Sequence, residues 1–471
     1  MARRNSALGA VLLAALGAWA AADDWPTYGR NNLRTHYTPE RFGPPFRLLW
    51  RWNTDPSRVR RIAYQNQVVV AGGLLCIGDY AGTMHGLDAK TGKERWRYRA
   101  AGPIVHAAAI AGGRVFFGSE AGEVVCLEAR TGRKVWSYTA GAGIRTAPAV
   151  ENGTVYVASL DRCVYAFKAA TGRRLWKTDV GAPVSMTPAV AEGRIFLGAW
   201  DVVARCLDAA TGKLLWSAPL EGWAMHAYAP AVWRDKVVFR TAPFGSLWDG
   251  GLDTPFPDRM VAFYKANPTR KHLFVLNTRT GKEEYVVGLP YTTGVYSIPC
   301  QVCVAPSGKA YAASRHETGG MNRADIAEID LSTGKMRIFL DGNMHRARRS
   351  GHFRLVTDET SSLSIAGDSL LIAMAQVVGG VEMRTKSLRS WGVCSTPCYD
   401  GATQHARWSL PLYPPQVAKA RPLLITENPF YWGAQHNAPE YAPAVVADGV
   451  LYWMGNGCGI AAVAMTKEAR Q

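Results

Sequence analysis

The chain is short of cysteine, of acid and of long apolar runs, and each shortage removes a class of protein. Nine cysteines in 471 residues are too few for a disulfide scaffold, and the odd count leaves at least one thiol unpaired. No CxxCH occurs, so no c-type haem is attached. Apolar runs are all shorter than the roughly 18 residues of a membrane-spanning helix, because Gly and charged residues interrupt them. One of them, Ala7 to Trp19, follows Arg3 and Arg4 and precedes Ala20-Ala21-Ala22, which predicts a secretory signal over 1–22 cleaved before Asp23. The nearest cysteine to that point is Cys76, so no lipid anchor is expected and the mature chain reads as periplasmic or secreted.

Acid is scarce: 37 Asp and Glu stand against 54 Lys and Arg, a formal charge of +17. An exported chain this basic is matched to anionic surfaces rather than nucleic acid: acidic or sulfated polysaccharide, lipid head groups or an acidic partner. Metal motifs are incomplete. Asp249, Asp253 and Asp258 lack the alternating oxygen ligands of a calcium loop. Cys300 and Cys303, three apart on an extended strand, would lie about 10 Å apart on opposite faces. Cys394 and Cys398, in a loop rich in Gly, Pro and Ser, suit a local disulfide better than zinc, since only two candidate ligands are close.

What the chain does have is a repeat. The fragments LDAKTGKERW (Leu87 to Trp96), LEARTGRKVW (Leu127 to Trp136), FKAATGRRLW (Phe167 to Trp176) and LDAATGKLLW (Leu207 to Trp216) recur every 40 residues. Upstream of each lies a Pro/Ala-rich entry, a turn and a β-branched or aromatic run, such as TAPAVENGTVYVAS (Thr146 to Ser159). Four short runs joined by tight turns make a four-stranded antiparallel meander, and an array of them makes a propeller. Four regular blades are followed by degenerate copies at NTRTGKEEY (Asn277 to Tyr285) and DLSTGKMRI (Asp330 to Ile338). A seventh blade is inferred from Ile365 to Ala375 with Trp391. The eighth begins at Tyr441 and runs out of chain before its outer strand, for which PFRLLWRW (Pro45 to Trp52) is the available donor. The sequence therefore predicts an all-β, eight-bladed propeller over 45–471, closed by an N-terminal strand after an extension at 23–44, with seven blades as the alternative. Gly92, Gly132, Gly172 and Gly212 suit the turn, and Trp96, Trp136, Trp176 and Trp216 suit packing between blades.

These fragments resemble the docking motif of the quinoprotein propellers, A-x-D-x-x-T-G-x-x-x-W, here GLDAKTGKERW (Gly86 to Trp96) and CLDAATGKLLW (Cys206 to Trp216). The stretch DWPTYGRNNLRTHY (Asp24 to Tyr37) is similar to the start of secreted bacterial proteins with PQQ-like repeats. The repeat also resembles the propeller lipoprotein of outer-membrane protein assembly, from which the chain departs in lacking a lipid-bearing cysteine. Quinoprotein alcohol dehydrogenases, by this resemblance, would bring PQQ and calcium. The chain departs from them in having no Cys-Cys dipeptide and the full motif in only about half its blades.

Departures from the period point to one face. Expansions near 242–270, 315–323, 341–358 and 392–440 all fall between strands two and three or between blades, opposite the Thr-Gly turns. Beneath them, positions near each blade's entry proline supply His106, Arg145, Thr146, His226, Tyr228, Glu359 and Tyr441, which vary while their flanks repeat. Trp248, Arg315, His316, Arg348 and His436 would belong to the lid. A mixed polar set at a concave mouth is the default binding site. The expectation is an exported binding or scaffolding propeller that takes a small molecule, an anionic glycan or an envelope partner at this funnel. Two alternatives remain: a dehydrogenase using PQQ and calcium, and a carbohydrate-active hydrolase or lyase. No nucleophile, base and orienter can be read from linear spacing, so no residue is singled out as catalytic.

Overall fold

The structure, a computed structural model, describes residues 24–43, 46–53, 66–222, 225, 229–241, 273–287, 301–317, 322–340, 362–373, 377–382, 391–394, 409–411, 443–455 and 459–465. Among them there is no helix; the strands form eight sheets, seven of four strands and one of six. Blade one comprises Val69–Ala71, Leu74–Gly78, Thr83–Asp88 and Glu94–Arg99, and the next three blades repeat it at the same spacing. The second and third strands of these blades are almost wholly buried, because both faces of each sheet pack against a neighbour. Outer strands alternate between buried and exposed, as in Lys134–Thr139, where Trp136 is buried between exposed neighbours.

Ring closure follows the sequence expectation. Phe46–Asn53 pairs antiparallel with Gly459–Met465 and becomes the outer strand of the eighth sheet. Its Trp50 occupies the place that Trp96 holds one blade on, and so extends the tryptophan series to the first residues of the ring. Each such indole lies over the turn glycine of the next blade and donates to a carbonyl there. The bonds run from Trp50 to Ala89 (3.0 Å), Trp96 to Ala129 (2.8 Å), Trp136 to Ala169 (2.8 Å), Trp176 to Ala209 (3.1 Å) and Trp216 to Thr278 (3.0 Å). In blade five Tyr285 takes over, its hydroxyl donating to the Leu331 carbonyl at 2.7 Å. One apolar plate plus one directional bond thus locks six of the eight blades to their successors.

The expansions take different forms. Around 315–323 the second and third strands of blade six lengthen into a hairpin, Lys309–Glu317 against Asn322–Asp330, so Arg315 and His316 stand on paired backbone opposite Ala324 and Arg323. In blade seven, Trp391–Cys394 is the outer strand, and Ser409–Pro411 adds to it in parallel. Residues 242–272, 341–361, 395–408 and 412–442 lie outside the described residues, and with them Cys398 and any bridge to Cys394; Cys300 is outside as well. Four described cysteines, Cys76, Cys126, Cys163 and Cys206, are buried free thiols, and Cys303 is buried as well.

Candidate functional site at the axis and its rim

At the axis of the ring lies the chain's own N-terminal segment. Trp25 exchanges two backbone bonds with Val70 of blade one (2.7 and 2.8 Å), and Ile110 N–H of blade two donates to the Pro26 carbonyl (2.7 Å). The Asn32 side chain donates to Val150 of blade three, and its carbonyl accepts from Val190 of blade four, both at 2.8 Å. Leu33, Thr35 and His36 then accept from Val232, Val304 and Ile365 of blades five to seven. These seven partners hold one equivalent position, in the innermost strand of seven successive blades. Inner-edge groups that would face an empty channel are thereby paired. The segment can turn this tightly because Gly29, Arg30, Arg34 and His36 all take positive φ. A Cβ at Gly29 would sit 2.9 Å from the Arg34 Cα, so the curl closes on itself.

The segment fills the axis with side chains that sequence reasoning did not single out. Trp25 and Arg34 are fully buried, and Tyr28 nearly so. The Arg34 guanidinium donates to the carbonyls of Tyr28 (2.7 Å), Pro188 (2.9 Å) and Pro148 (3.3 Å) and to the Thr27 hydroxyl (2.8 Å). Burial draws its pKa down to about 9, so it keeps its charge at neutral pH on a cage of oxygen dipoles. The ring of Tyr28 packs edge-on against both His36 (5.0 Å) and His106 (4.9 Å). Burial, and after it the Arg34 charge, brings both histidines down to about 3, and both are neutral at pH 7.

Of the residues expected at the funnel mouth, His106 and Thr146 lie inside this packed axis. His106 Nε2 is 3.0 Å from the Thr187 hydroxyl, and the Thr146 hydroxyl donates to the Ala158 carbonyl at 2.8 Å. Arg145 stands apart on the rim, where its Nε donates to Glu120 at 2.7 Å with 45% of the side chain exposed. His226, Tyr228, Glu359, Tyr441, Trp248, Arg348 and His436 lie outside the described residues, as do the side chains of Arg315 and His316. Two rim aromatics were missed. Tyr80 and Trp200 occupy equivalent positions between strands two and three, 41% and 48% exposed, and Glu120 and Leu160 fill the same position in the blades between. Trp200 is held upright by donation from its indole N–H to the Ser185 hydroxyl (2.8 Å). Period-40 registration of the sequence, applied to this loop instead of the entry proline, finds them.

The described axis does not fit a bound quinone with calcium. Its space is taken by Trp25, Tyr28, Arg34, His36 and His106, and the guanidinium that could meet a carboxylate already serves four oxygens. Calcium needs six to eight oxygen ligands, and among the described residues no group of three or more His, Cys, Asp or Glu could hold a metal ion.

Comparison with known proteins places the chain. The profile described as outer membrane protein assembly factor BamB matches residues 47–144, 102–177, 120–283 and 161–406. Among solved structures, the quinohemoprotein alcohol dehydrogenase of Comamonas testosteroni superposes with a TM-score of 0.57 at 14% identity, covering 95% of this chain and 81% of that one. A europium-containing methanol dehydrogenase gives 0.57 at 14% identity, covering 94% and 98%. BamB from Moraxella catarrhalis gives 0.43 at 14% identity, over 72% of this chain and 97% of that one. At such identities the two likenesses at 0.57 speak for the fold alone. No curated protein sequence matches the chain.

Proposed function

Because the chain belongs to the family of PQQ-like repeat propellers described as outer membrane protein assembly factor BamB, we propose that it is a binding or scaffolding propeller of the cell envelope. The observation that carries this reading is the filled axis. With residues 24–38 built into seven blades, the described surface left to a partner on the insertion face is the rim, where Tyr80 offers an exposed ring near the Arg145–Glu120 pair and Trp200 a second exposed ring in blade four. Exposed aromatics with a neighbouring arginine are the residues that dominate protein–protein contacts. A protein partner uses them better than a glycan would, since the two rings stand in different blades rather than forming one stacking platform. Export through the predicted signal at 1–22 belongs to this proposal, as does a place for the insertions 242–270 and 392–440 in the same contact.

The test is a photo-crosslinking amino acid placed at Tyr80, at Trp200 and, on the opposite face, at Asn152, in the cells that make the protein. Discrete crosslinked species are expected from the first two positions and not from the third. The combination of Trp200→Ala and Arg145→Ala should weaken the purified complex by roughly thirtyfold, the loss of one aromatic anchor, with the thermal midpoint unchanged. Crosslinks that arise equally from both faces, or an undiminished complex in the double variant, would assign the contact elsewhere.

A further inference from the structure

The face opposite those insertions carries a second feature that the scaffold reading does not use. Around the Thr-Gly turns of blades one to four, residues 88–95, 128–135, 168–175 and 208–215 hold ten Lys and Arg against four Asp and Glu. The corresponding residues of blades five and six, 277–284 and 330–337, hold four against three, so the charge is concentrated on one arc of the rim. Three of the four carboxylates in that arc, Asp88, Glu128 and Asp208, accept hydrogen bonds from the threonine of their own turn, at 2.9, 2.8 and 2.7 Å. Arg130, Arg133, Arg173 and Lys213 are exposed, and the ion pair of Arg133 with Glu128 is long, at 3.7 Å.

Aliphatic side chains stand among these cations. Each outer strand shifts register just after its turn, so that Val135, Leu175 and Leu215 fall between paired residues and leave the ladder. Such a bulge re-aims a side chain. The result here is that Val135, Leu175 and Leu215 are 36%, 42% and 45% exposed, and Leu214, on the ladder beside the bulge, is 48% exposed. The four turns come from equivalent positions in four like blades, and their tips therefore lie on one flat side of the disc rather than around a concavity.

We propose that this arc of the Thr-Gly face is a docking surface for an anionic lipid bilayer. Lys and Arg near a charged membrane attract its phosphates over about a Debye length, and apolar side chains set between them enter the boundary of head group and acyl chain. A soluble polyanion would answer to the cations alone and leave the leucines unused. Docked this way, the disc lies with its Thr-Gly side on the membrane and turns the insertion face toward the aqueous space.

The test is cosedimentation of the purified protein with vesicles of phosphatidylcholine alone and of equal parts phosphatidylcholine and phosphatidylglycerol. Binding is expected to the second only, and to weaken with added salt. The combined variant Arg130→Gln, Arg133→Gln, Arg173→Gln and Lys213→Gln should lower the partition coefficient roughly a hundredfold or more. Leu175→Ser, Leu214→Ser and Leu215→Ser together should lower it roughly tenfold. Lys282→Gln with Lys335→Gln, on blades five and six, should leave it unchanged. Native thermal midpoints qualify each variant, and single Arg133→Gln and Arg173→Gln proteins replace the combined one if it misfolds. Absence of binding to the mixed vesicles, or equal binding by the four-cation variant, overturns the proposal. So does capture of a soluble acidic polysaccharide in the cation-dependent way while the serine variant binds vesicles as well as the parent does.

Discussion

Gly172 and Gly153 allow the lock between blades to be measured apart from backbone strain. Their φ angles are +72° and +73°, so alanine pays the same left-handed penalty at either, about 1 kcal/mol or somewhat more. Their surroundings differ completely. A Cβ at Gly153 meets nothing within 4 Å, whereas one at Gly172 meets three carbons of the Trp136 indole at 2.6, 2.8 and 2.9 Å. That indole cannot simply back away, because its N–H is bonded to the Ala169 carbonyl and its ring lies against Phe116 and Phe167 at 5.9 Å. Overpacking of this kind costs roughly 1–3 kcal/mol. Gly172→Ala should therefore be less stable than Gly153→Ala by about that amount in equilibrium urea unfolding followed by far-UV circular dichroism. In a Trp136→Ala background the excess should vanish, since the cavity left by the indole accepts the methyl group. Equal destabilisation by the two alanines, or an excess that survives loss of the tryptophan, would refute the account of Trp136 as the plate seated on Gly172.

The blades were legible because a propeller writes its fold in a period. The turn glycine and the tryptophan recur at 40 residues because every blade presents the same socket to its neighbour, and the unpaired PFRLLWRW was visible as an outer strand with no blade of its own. The axial segment was not legible in that way. It is held mainly by backbone N–H and C=O groups of the innermost strands, which every residue carries, so nothing in Val70, Ile110 or Val190 advertises a partner. The same segment accounts for part of the blade-to-blade variation near the entry prolines. A single asymmetric peptide wound inside an eightfold ring shows each blade a different side chain, and His106, Thr146 and Met186 differ from blade to blade while all are buried. His106 faces Tyr28, and Thr187 answers His106. Variation among repeats marks whatever breaks the symmetry, and here part of what breaks it is the chain itself.

A chain truncated to begin at Thr54 loses the eight-residue strand Phe46–Asn53, the buried Trp50 and the axial segment together, and leaves Gly459–Met465 as an open edge. Size-exclusion chromatography should show it aggregated, and a truncated protein that stays monomeric and unfolds cooperatively would contradict closure by this strand. The buried histidines give the ring a pH dependence. His36 and His106 are held near 3 in the fold against about 6.5 unfolded, so the unfolded chain binds protons that the native one does not. Their contribution is complete above pH 6.5 and is lost as the pH falls from there toward 3, at about 1.4 kcal/mol per pH unit for each histidine once the unfolded form is protonated. Carboxylates held low in the fold, Asp88 and Glu328 among them, add a slope of the same sign as the pH nears 4.5, so it is between pH 6 and 5 that the slope belongs chiefly to histidine. Urea midpoints measured across that interval should fall with acidification, and His106→Gln, which cannot titrate, should remove about half of the slope assigned to the pair. An unaltered slope in that variant would mean that His106 takes up its proton within the folded ring, which the packing of Tyr28 against it and the charge of Arg34 both oppose.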